Sequence, residues 1–225
     1  EDNQKINHRD VLILKYLISK GIIPSIAHSD AVYNEVINAV DNGCRLVTHL
    51  FSCTSSITRD NGFRRLGVTE TALLHDDIFV EVIGDGCHIP FELFKYIYKV
   101  KGADRICLVT DAMMCAGLEE KDNKGVYKCG LPCIIEDGVA KLLDKSAFAG
   151  SIATTDIMLK NCIDKFGVSI CKAVKMLTET PAEIMKLNNK GKLKEGYDAD
   201  IVIFDNDIKI KRVIVGGNTY FKQNN

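Results

Sequence analysis

The stretch that decides the fold is IFVEVIGDGCHIPFELFKYIYKVKGADRICLVTDA, residues 78–112. The stretch begins and ends with an apolar run that lacks polar alternation, and such runs are typical of parallel strands buried on both faces. Between them, residues 90–102 have a helical pattern, with Pro90 in the first turn and Gly102 just past the end. A strand, a helix and a parallel strand form a βαβ unit with a right-handed crossover. The stretch therefore predicts an α/β fold.

The same order occurs upstream. The apolar runs IIPSIAHSD (22–30) and RLVTHLF (45–51) alternate with helical patterns at 31–42 and about 67–76. Four βα units are half of the eight that close a TIM-type barrel. We therefore predict a partial TIM-type (β/α) barrel made of its C-terminal four βα units, with an open sheet as the alternative. A sheet of four strands alone would leave two unprotected edges, which are prone to aggregation. This favours the partial barrel, because its missing half would cover those edges.

The remaining sequence has a different character. Residues 126–147 alternate like a β-hairpin with an EDG turn at 136–138, and two helices are predicted near 151–166 and 169–187. The segments ADIVIFD and IKRVIVGGNTYF read as strands, the latter turning at GGN. We therefore predict a barrel portion over 1–190, with a β-hairpin insertion near 126–147, and the C-terminal strands of a small β domain over 191–225.

Composition excludes several classes of partner. The 225 residues include 29 Lys and Arg against 30 Asp and Glu, so there is no basic surface of the kind that nucleic acid requires. No apolar run approaches the roughly 20 residues of a membrane helix. Nine cysteines are scattered, several within apolar runs, which indicates reduced core thiols in a cytoplasmic protein (Cys44, Cys107, Cys162, Cys171).

All four strand runs end in chemically active side chains: His28, His49, the pair Asp85 and His88, and Asp111. The carboxyl ends of parallel strands lie at one edge of a sheet, where barrel enzymes have their active sites. Taken singly, each histidine can be a hydrogen-bonded structural group and each aspartate a helix cap. Their repeated placement at strand ends favours one shared site.

Two neutral imidazoles and a carboxylate suit a divalent metal ion, zinc first, with iron or another divalent ion as alternatives. Such an ion lowers the pKa of its bound water to about 7, and Asp111 can transfer that water's proton to a leaving amine. Amide hydrolysis fits this set. No glycine-rich phosphate loop and no G-x-S-x-G turn occurs in the sequence, although a serine or cysteine nucleophile stays open.

An ordered motif series carries a family resemblance. The motifs are, in order, AHSDA (27–31), THLF (48–51), GDGCHIP (84–90), LVTDAM (108–113) and FAGS (148–151). This series resembles that of the N-acetylglucosamine-6-phosphate deacetylases of the amidohydrolase superfamily. In addition, PAEIMKL followed by KGKLKEGYDADIVIFD resembles the point where that superfamily's chain leaves the barrel for a small β domain, so the match runs over nearly the whole chain.

The resemblance implies a reaction and a role for each matched residue. A metal-bound hydroxide would remove acetate from N-acetylglucosamine 6-phosphate and leave glucosamine 6-phosphate, with His28 and His49 as metal ligands and Asp111 as the acid and base. It also implies a homodimer that binds this amino-sugar phosphate. The implied substrate contacts are backbone N–H groups at Ser52 and Cys53, Arg59 on the phosphate across the dimer interface, His88 on the sugar phosphate, and Phe148, Ala149 and Gly150 along the sugar pocket.

Some positions depart from the family pattern. Ala27 stands where glycine is usual, and Ser52, Cys53 and Thr54 replace an Asn-Ala-Met run. The family's third metal ligand, a glutamate in a Leu-Glu-Gly-Pro-like segment, has no counterpart in these 225 residues. We therefore expect either the carboxyl portion of a longer deacetylase or a non-catalytic remnant. Another amidohydrolase, acting on a cyclic amide or an N-acyl amino acid, is the remaining alternative.

Overall fold

A computed structural model of the chain describes residues 8–117, 127–129 and 131–223. The chain divides into two compact units. The first consists of Glu1–Val82 and Tyr96–Cys107, and the second of Ile83–Lys95 and Leu108–Asn225. The domain boundary predicted after residue 190 stays a prediction.

Helices are confirmed where residues 31–42, 67–76 and 90–102 indicated them, but two short strands that form a hairpin at residues 58–65 interrupt the predicted alternation of strand and helix. None of the helices in the described ranges is long and apolar enough to cross a membrane. In chain order the elements are α1 (His8–Ser19), α2 (Tyr33–Asp41), β1 (Leu46–Val47), β2 (Thr58–Asp60), β3 (Phe63–Arg65), α3 (Val68–Leu74), β4 (Phe79–Ile83), α4 (Phe91–Lys101), β5 (Ile106–Val109), β6 (Tyr127–Cys129), β7 (Leu131–Glu136), β8 (Val139–Leu142), β9 (Phe148–Gly150), α5 (Thr155–Asp164), α6 (Ile170–Leu177), α7 (Glu179–Ile184), β10 (Ile201–Phe204), β11 (Ile210–Val215) and β12 (Asn218–Lys222).

The first sheet has the strand order β1-β4-β5, and β1 and β4 are parallel, with Val47 opposite Val80. Val47, Val80 and Ile106 are fully buried, as expected for strands covered on both faces. Within the described ranges this sheet is open and forms no closed barrel. The fold is therefore mixed α/β, with a smaller sheet than four strand–helix units predict.

The strand predicted over residues 22–30 is wrong in its extent. Only two of its residues pair, each in an isolated parallel bridge, Ile26 with Val47 and Ser29 with Thr54. The Ile26 N–H donates to the Leu46 carbonyl at 2.9 Å, and the Ile26 carbonyl accepts from the Thr48 N–H at 2.9 Å. Pro24 has no N–H to donate to a ladder, and His28 turns the chain away with a φ of 43°. Both features keep this segment from forming a longer strand.

In the second unit, residues 127–150 form more than the predicted hairpin. Strands β6, β7, β8 and β9 make a four-stranded antiparallel sheet in that order, so Phe148–Gly150 is its edge strand. The turn between β7 and β8 is at Asp137 and Gly138, whose φ values of 56° and 76° are those of a type I′ turn. The EDG turn is thus confirmed, while residue 126 lies outside the described ranges.

The helix predicted over 169–187 is two helices, α6 and α7, which meet at Thr178. The cause is Pro181, which has no N–H to donate and whose ring clashes with a preceding helical turn. A new helix that begins at Glu179 places Pro181 in its first turn, where neither problem arises. Further along, β10, β11 and β12 form an antiparallel sheet whose last turn is at Gly216 and Gly217, as predicted.

The cysteines with described side chains are free thiols. Cys44, Cys107 and Cys162 are buried as predicted, and burial raises the pKa of the Cys107 and Cys162 thiols to about 12. Cys171 is exposed, which corrects its assignment to the core. It lies two residues before the buried Ala173, and positions two apart face different sides of a helix.

Lys101 is a buried cation at the end of α4, only 6% exposed. Its Nζ donates to the carbonyl oxygens of Ala72 at 3.0 Å and His75 at 2.6 Å, at the C-terminus of α3. Burial lowers the pKa of Lys101 to about 8, the neighbouring charge of Asp76 opposes this, and that of Arg105 adds to it. One ammonium group therefore ties α4 to α3.

Replacing Lys101 should change how stability depends on pH. Above pH 8 the folded lysine loses its proton, whereas the unfolded lysine holds it up to its ordinary pKa of 10.5. The unfolded state then binds more protons, so this group makes stability rise with pH. Between pH 8 and pH 10, the free energy of unfolding of the parent should rise by about 2 kcal/mol relative to Lys101→Met.

Urea unfolding across this pH range measures the difference, with Lys99→Met as the matched control because Lys99 is exposed on the same helix. The control should follow the parent at every pH. Parallel profiles for the parent and Lys101→Met would contradict the assignment of the low pKa to Lys101.

Candidate functional site

His28 and His49 lie side by side in the first unit. Their Nε2 atoms are 3.1 Å apart, and their ring centroids are 4.9 Å apart. The Ile26–Val47 bridge explains this proximity, because each histidine follows its bridge residue by two positions. Residues two apart in an extended chain point to the same face, so a parallel bridge brings the two imidazoles to one level. The predicted convergence of these two strand ends is therefore observed.

The two nitrogens have the separation of ligands to one ion. Two nitrogens that each bind zinc at its usual distance in tetrahedral geometry are about 3.3 Å apart. His28 is exposed, whereas His49 is 8% exposed and its Nδ1 has no hydrogen-bond partner among the described residues. In the part of the chain that the structure describes, no group of three or more His, Cys, Asp or Glu residues is placed to hold a metal. The described residues thus place two imidazole nitrogens at a distance suited to one ion, without a third His, Cys, Asp or Glu side chain beside them.

Both histidines have strained backbones. The φ angle is 43° at His28 and 30° at His49, in a region that residues with a side chain rarely adopt. Phe51 and Cys53 follow with φ angles of 74° and 51°. Such conformations cost on the order of 1 kcal/mol each and are concentrated at functional sites. The sequence has no glycine at these positions, so it contained no signal for these turns.

The turn after His49 uses the backbone N–H of Ser52, which is one of the predicted substrate contacts. The Ser52 N–H donates to the His49 carbonyl at 2.8 Å, so it would have to leave this bond to reach a substrate. Cys53 follows it with an exposed side chain. The Ser29–Thr54 bridge then ties this turn to the segment that follows His28.

Arg59 lies on β2, in a two-stranded hairpin with β3. Asn61 and Gly62 form the turn with φ angles of 48° and 87°, a type I′ turn for which Asn-Gly is the preferred sequence. Arg59 is directly opposite Arg64, and both are exposed, whereas Arg65 forms an ion pair with Asp60. The Asn-Gly pair was the signal for this hairpin, and sequence reasoning missed it.

In the second unit, the backbone of Asp111 pairs with the residues after β9. The Ser151 N–H donates to the Asp111 carbonyl at 3.3 Å, and the Met113 N–H donates to the Ser151 carbonyl at 2.9 Å. Gly150 permits this approach, because a Cβ there would come within 2.7 Å of the Met113 Cγ. The Asp111 side chain is exposed, with a φ of 46°. Asp111 and Gly150, predicted for one site, are thus neighbours.

Asp85 and His88 form a second pair in this unit. The Asp85 carboxylate accepts the backbone N–H groups of Cys87 at 2.8 Å and His88 at 2.9 Å, and its other oxygen lies 2.6 Å from His88 Nδ1. Burial alone would raise the pKa of Asp85, but these hydrogen bonds hold it below its usual value. The His88 ring meets Phe148 edge-on, with centroids 4.9 Å apart. Two predicted substrate contacts, His88 and Phe148, therefore touch.

The predicted site residues fall into two groups, one in each unit. Sequence reasoning placed Asp85 among the strand-end groups but gave it no role. The available signal was its position three residues before His88, within reach of the backbone N–H groups that follow a strand. The first unit contains His28, His49, Ser52, Cys53 and Arg59, and the second contains His88, Asp111, Phe148, Ala149 and Gly150.

The sequence profile of the amidohydrolase family matches residues 18–220. The chain belongs to the amidohydrolase family. This amidohydrolase is 36% identical over 211 residues to the N-acetylglucosamine-6-phosphate deacetylase of Lysinibacillus sphaericus, which covers 93% of this chain and 52% of that protein. The chain spans about half the length of the curated relatives it matches.

Solved structures show the same relationship. The N-acetylglucosamine-6-phosphate deacetylase of Thermotoga maritima superposes on this amidohydrolase with a TM-score of 0.85 at 30% identity, over 94% of this chain and 56% of that one. A variant of the Mycobacterium smegmatis deacetylase, solved in complex with N-acetyl-D-glucosamine-6-phosphate, gives a TM-score of 0.84 at 27% identity, over 95% and 55%. The fold of this amidohydrolase is thus that of about half of such an enzyme.

The strained backbone at His28 generates a prediction about stability. Because its φ is 43°, His28→Gly should be more stable than His28→Ala by about 1 kcal/mol, the reverse of the usual order. Ala27→Gly is the control, since Ala27 has no positive φ and the glycine there should destabilise. Urea unfolding measures all three variants. A more stable His28→Ala would show that this residue does not hold the left-handed conformation.

Proposed function

We propose that this protein hydrolyses the acetamide of N-acetylglucosamine 6-phosphate to acetate and glucosamine 6-phosphate. The observation that carries the proposal is the convergence of His28 Nε2 and His49 Nε2 at 3.1 Å in a member of the amidohydrolase family. The relatives from Lysinibacillus sphaericus and Thermotoga maritima bear the name of this activity, and the Mycobacterium smegmatis protein binds this substrate.

His28 and His49 would hold a divalent metal ion, zinc first and iron as the alternative, through their Nε2 atoms. When bound, such an ion supplies an acidified water and polarises the amide carbonyl. The 3.1 Å between the two Nε2 atoms supports this role, because two imidazole nitrogens at about this distance can bind one ion. The third protein ligand would come from outside the described residues.

Asp111 would carry the proton. Its carboxylate takes a proton from the attacking water as the new C–O bond forms at the acetyl carbon, and gives it to the amide nitrogen as the C–N bond breaks. Acetate and the free amine are the products. The exposure of Asp111 supports this role, since a proton carrier must reach both water and substrate.

We propose substrate contacts in each unit by itself. We propose that Arg59 recognises the phosphate, which its exposure and its position opposite Arg64 support. Neither arginine has an ion-pair partner among the described residues. We propose that Arg59 reaches this phosphate in a homodimer, and that backbone groups at Ser52 and Cys53 contact the substrate. His88, Phe148, Ala149 and Gly150 would line the sugar and phosphate side, which their contacts in the second unit support.

A non-catalytic role is the second candidate. The observation that favours it is the absence, among the described residues, of a third His, Cys, Asp or Glu beside the histidine pair. Two ligands alone bind a metal more weakly than the three that catalytic zinc sites use. In that case the protein would retain the fold and the family motifs without turning over the substrate.

Acetate release from N-acetylglucosamine 6-phosphate in the presence of Zn²⁺ tests the proposal. Asp111→Asn should lower kcat by about 10²- to 10⁴-fold, because an amide cannot take the proton. Asp164→Asn is the matched control, since Asp164 is an exposed aspartate that pairs with Lys160. An Asp111→Asn variant as fast as the parent would refute the role of Asp111.

A separate measurement addresses the metal. Calorimetric titration with Zn²⁺ should show binding to the parent and weaker binding to His49→Ala, with His75→Ala as a control histidine whose Nε2 lies 3.2 Å from the Tyr33 hydroxyl. Zinc binding without acetate release would favour the non-catalytic role. Equal binding by the parent and His49→Ala would exclude the histidine pair as the metal site.

A further inference from the structure

We infer that Asp85 is a positioning residue that holds the proton of neutral His88 on Nδ1, so that Nε2 is the atom presented to the substrate. The inference rests on the proposed function in one respect, which is that His88 contacts the amino-sugar phosphate. The tautomer itself follows from the geometry around Asp85.

The two oxygens of the Asp85 carboxylate have separate tasks. Oδ1 accepts two backbone N–H groups, from Cys87 at 2.8 Å and His88 at 2.9 Å. Oδ2 lies 2.6 Å from Nδ1 of the His88 ring. An ionised carboxylate only accepts hydrogen bonds, so Nδ1 must carry the hydrogen between them. The pKa of Asp85 is below its usual value, which keeps the carboxylate ionised near neutral pH.

The pair is held rigidly from several directions. The side chains of Asp85 and His88 are only 1% and 9% exposed. From α5, the Asn161 amide donates to the carbonyl oxygens of Gly84 at 3.2 Å and Asp85 at 3.0 Å, which fixes the backbone beneath the carboxylate. Phe148 contacts the other side of the His88 ring. Ring rotation would lose the short hydrogen bond and this aromatic contact.

The tautomer decides what the substrate meets. With the hydrogen on Nδ1, a neutral His88 offers a lone pair at Nε2 that accepts from a sugar hydroxyl. If the ring is charged, Nε2 instead donates to a phosphate oxygen. Without Asp85, Nδ1 and Nε2 would compete for the hydrogen and the ring would lose its orientation. Asp85 therefore acts through His88 and need not touch the substrate.

Asp85→Asn is the sharpest variant, because it is isosteric. The remaining Oδ1 still accepts the two backbone N–H groups, while the new Nδ2–H₂ faces Nδ1 and donates to it. This forces the hydrogen of neutral His88 onto Nε2, so the fold is kept and the tautomer is inverted. Asp137→Asn is the control, because Asp137 is an exposed aspartate in the same unit that pairs with Lys141.

Nitrogen-15 NMR of histidine-labelled protein at alkaline pH reads the tautomer directly, with His88→Gln to assign the signals. The parent should show a protonated Nδ1 and an unprotonated Nε2, and Asp85→Asn the reverse. A parent with its hydrogen on Nε2 would overturn the inference. This readout needs no enzymatic activity, so it stands or falls independently of the proposed deacetylation.

Ligand binding and kinetics test the consequence. Glucosamine 6-phosphate should shift the Nε2 signal of His88 in the parent, and an unmoved signal would overturn the claim that Nε2 faces the substrate. In an active deacetylase, Asp85→Asn should lower kcat/KM by about 10- to 100-fold, as loss of an orienting partner typically does, with an unchanged melting temperature. An inverted tautomer with unchanged kcat/KM would show that the orientation of His88 does not matter. Parent protein without acetate release would count against the proposed function alone.

Discussion

The parallel pairing of Ile26 with Val47, and of Val47 with Val80, is the constraint on which the first group of site residues depends. Parallel register places equivalent positions of neighbouring strands at one level, so the residues two positions further on meet at the same edge. That is how His28 and His49 bring their Nε2 atoms together. Val47 and Val80 are buried and Ile26 is partly buried, so burial of the sheet also stabilises the site.

Both histidines of the pair adopt a strained backbone conformation. Each histidine ends its pairing with a left-handed turn, and the turn after His49 is closed by the Ser52 N–H. Strained backbone of this kind is concentrated at functional sites, so it supports the proposal that both histidines are functional residues.

The second group depends instead on the hydrogen bonds made by a buried carboxylate. Asp85 is buried yet accepts three hydrogen bonds, which compensates for its loss of water. The same bonds orient His88 towards Phe148, on the strand whose following residue, Ser151, pairs with the segment of Asp111. Contacts within each unit thus position the predicted site residues of that unit. The described residues place no third candidate ligand of the metal that the proposed function requires beside the histidine pair.

Local chemistry in the sequence predicted much of this protein. Apolar runs, Pro90 and Gly102 marked β1, β4, β5 and the helices α2, α3 and α4, and the ordered motifs indicated the family, whereas the β2–β3 hairpin was missed. Those signals act over a few residues, so a sequence displays them directly. Pro181 was also a visible signal, although its effect on α6 and α7 was underestimated.

Other features belong to tertiary structure alone. The truncated pairing at Ile26, the left-handed turns at His28 and His49, and the hydrogen bonds of Asp85 all depend on what other segments place opposite them. The sequence by itself indicated the family, most of the helices, several of the strands and the candidate residues, because these follow from residue type and spacing. Only the tertiary structure decided which candidates touch and which nitrogen of His88 meets the Asp85 carboxylate, because such distances are set by packing.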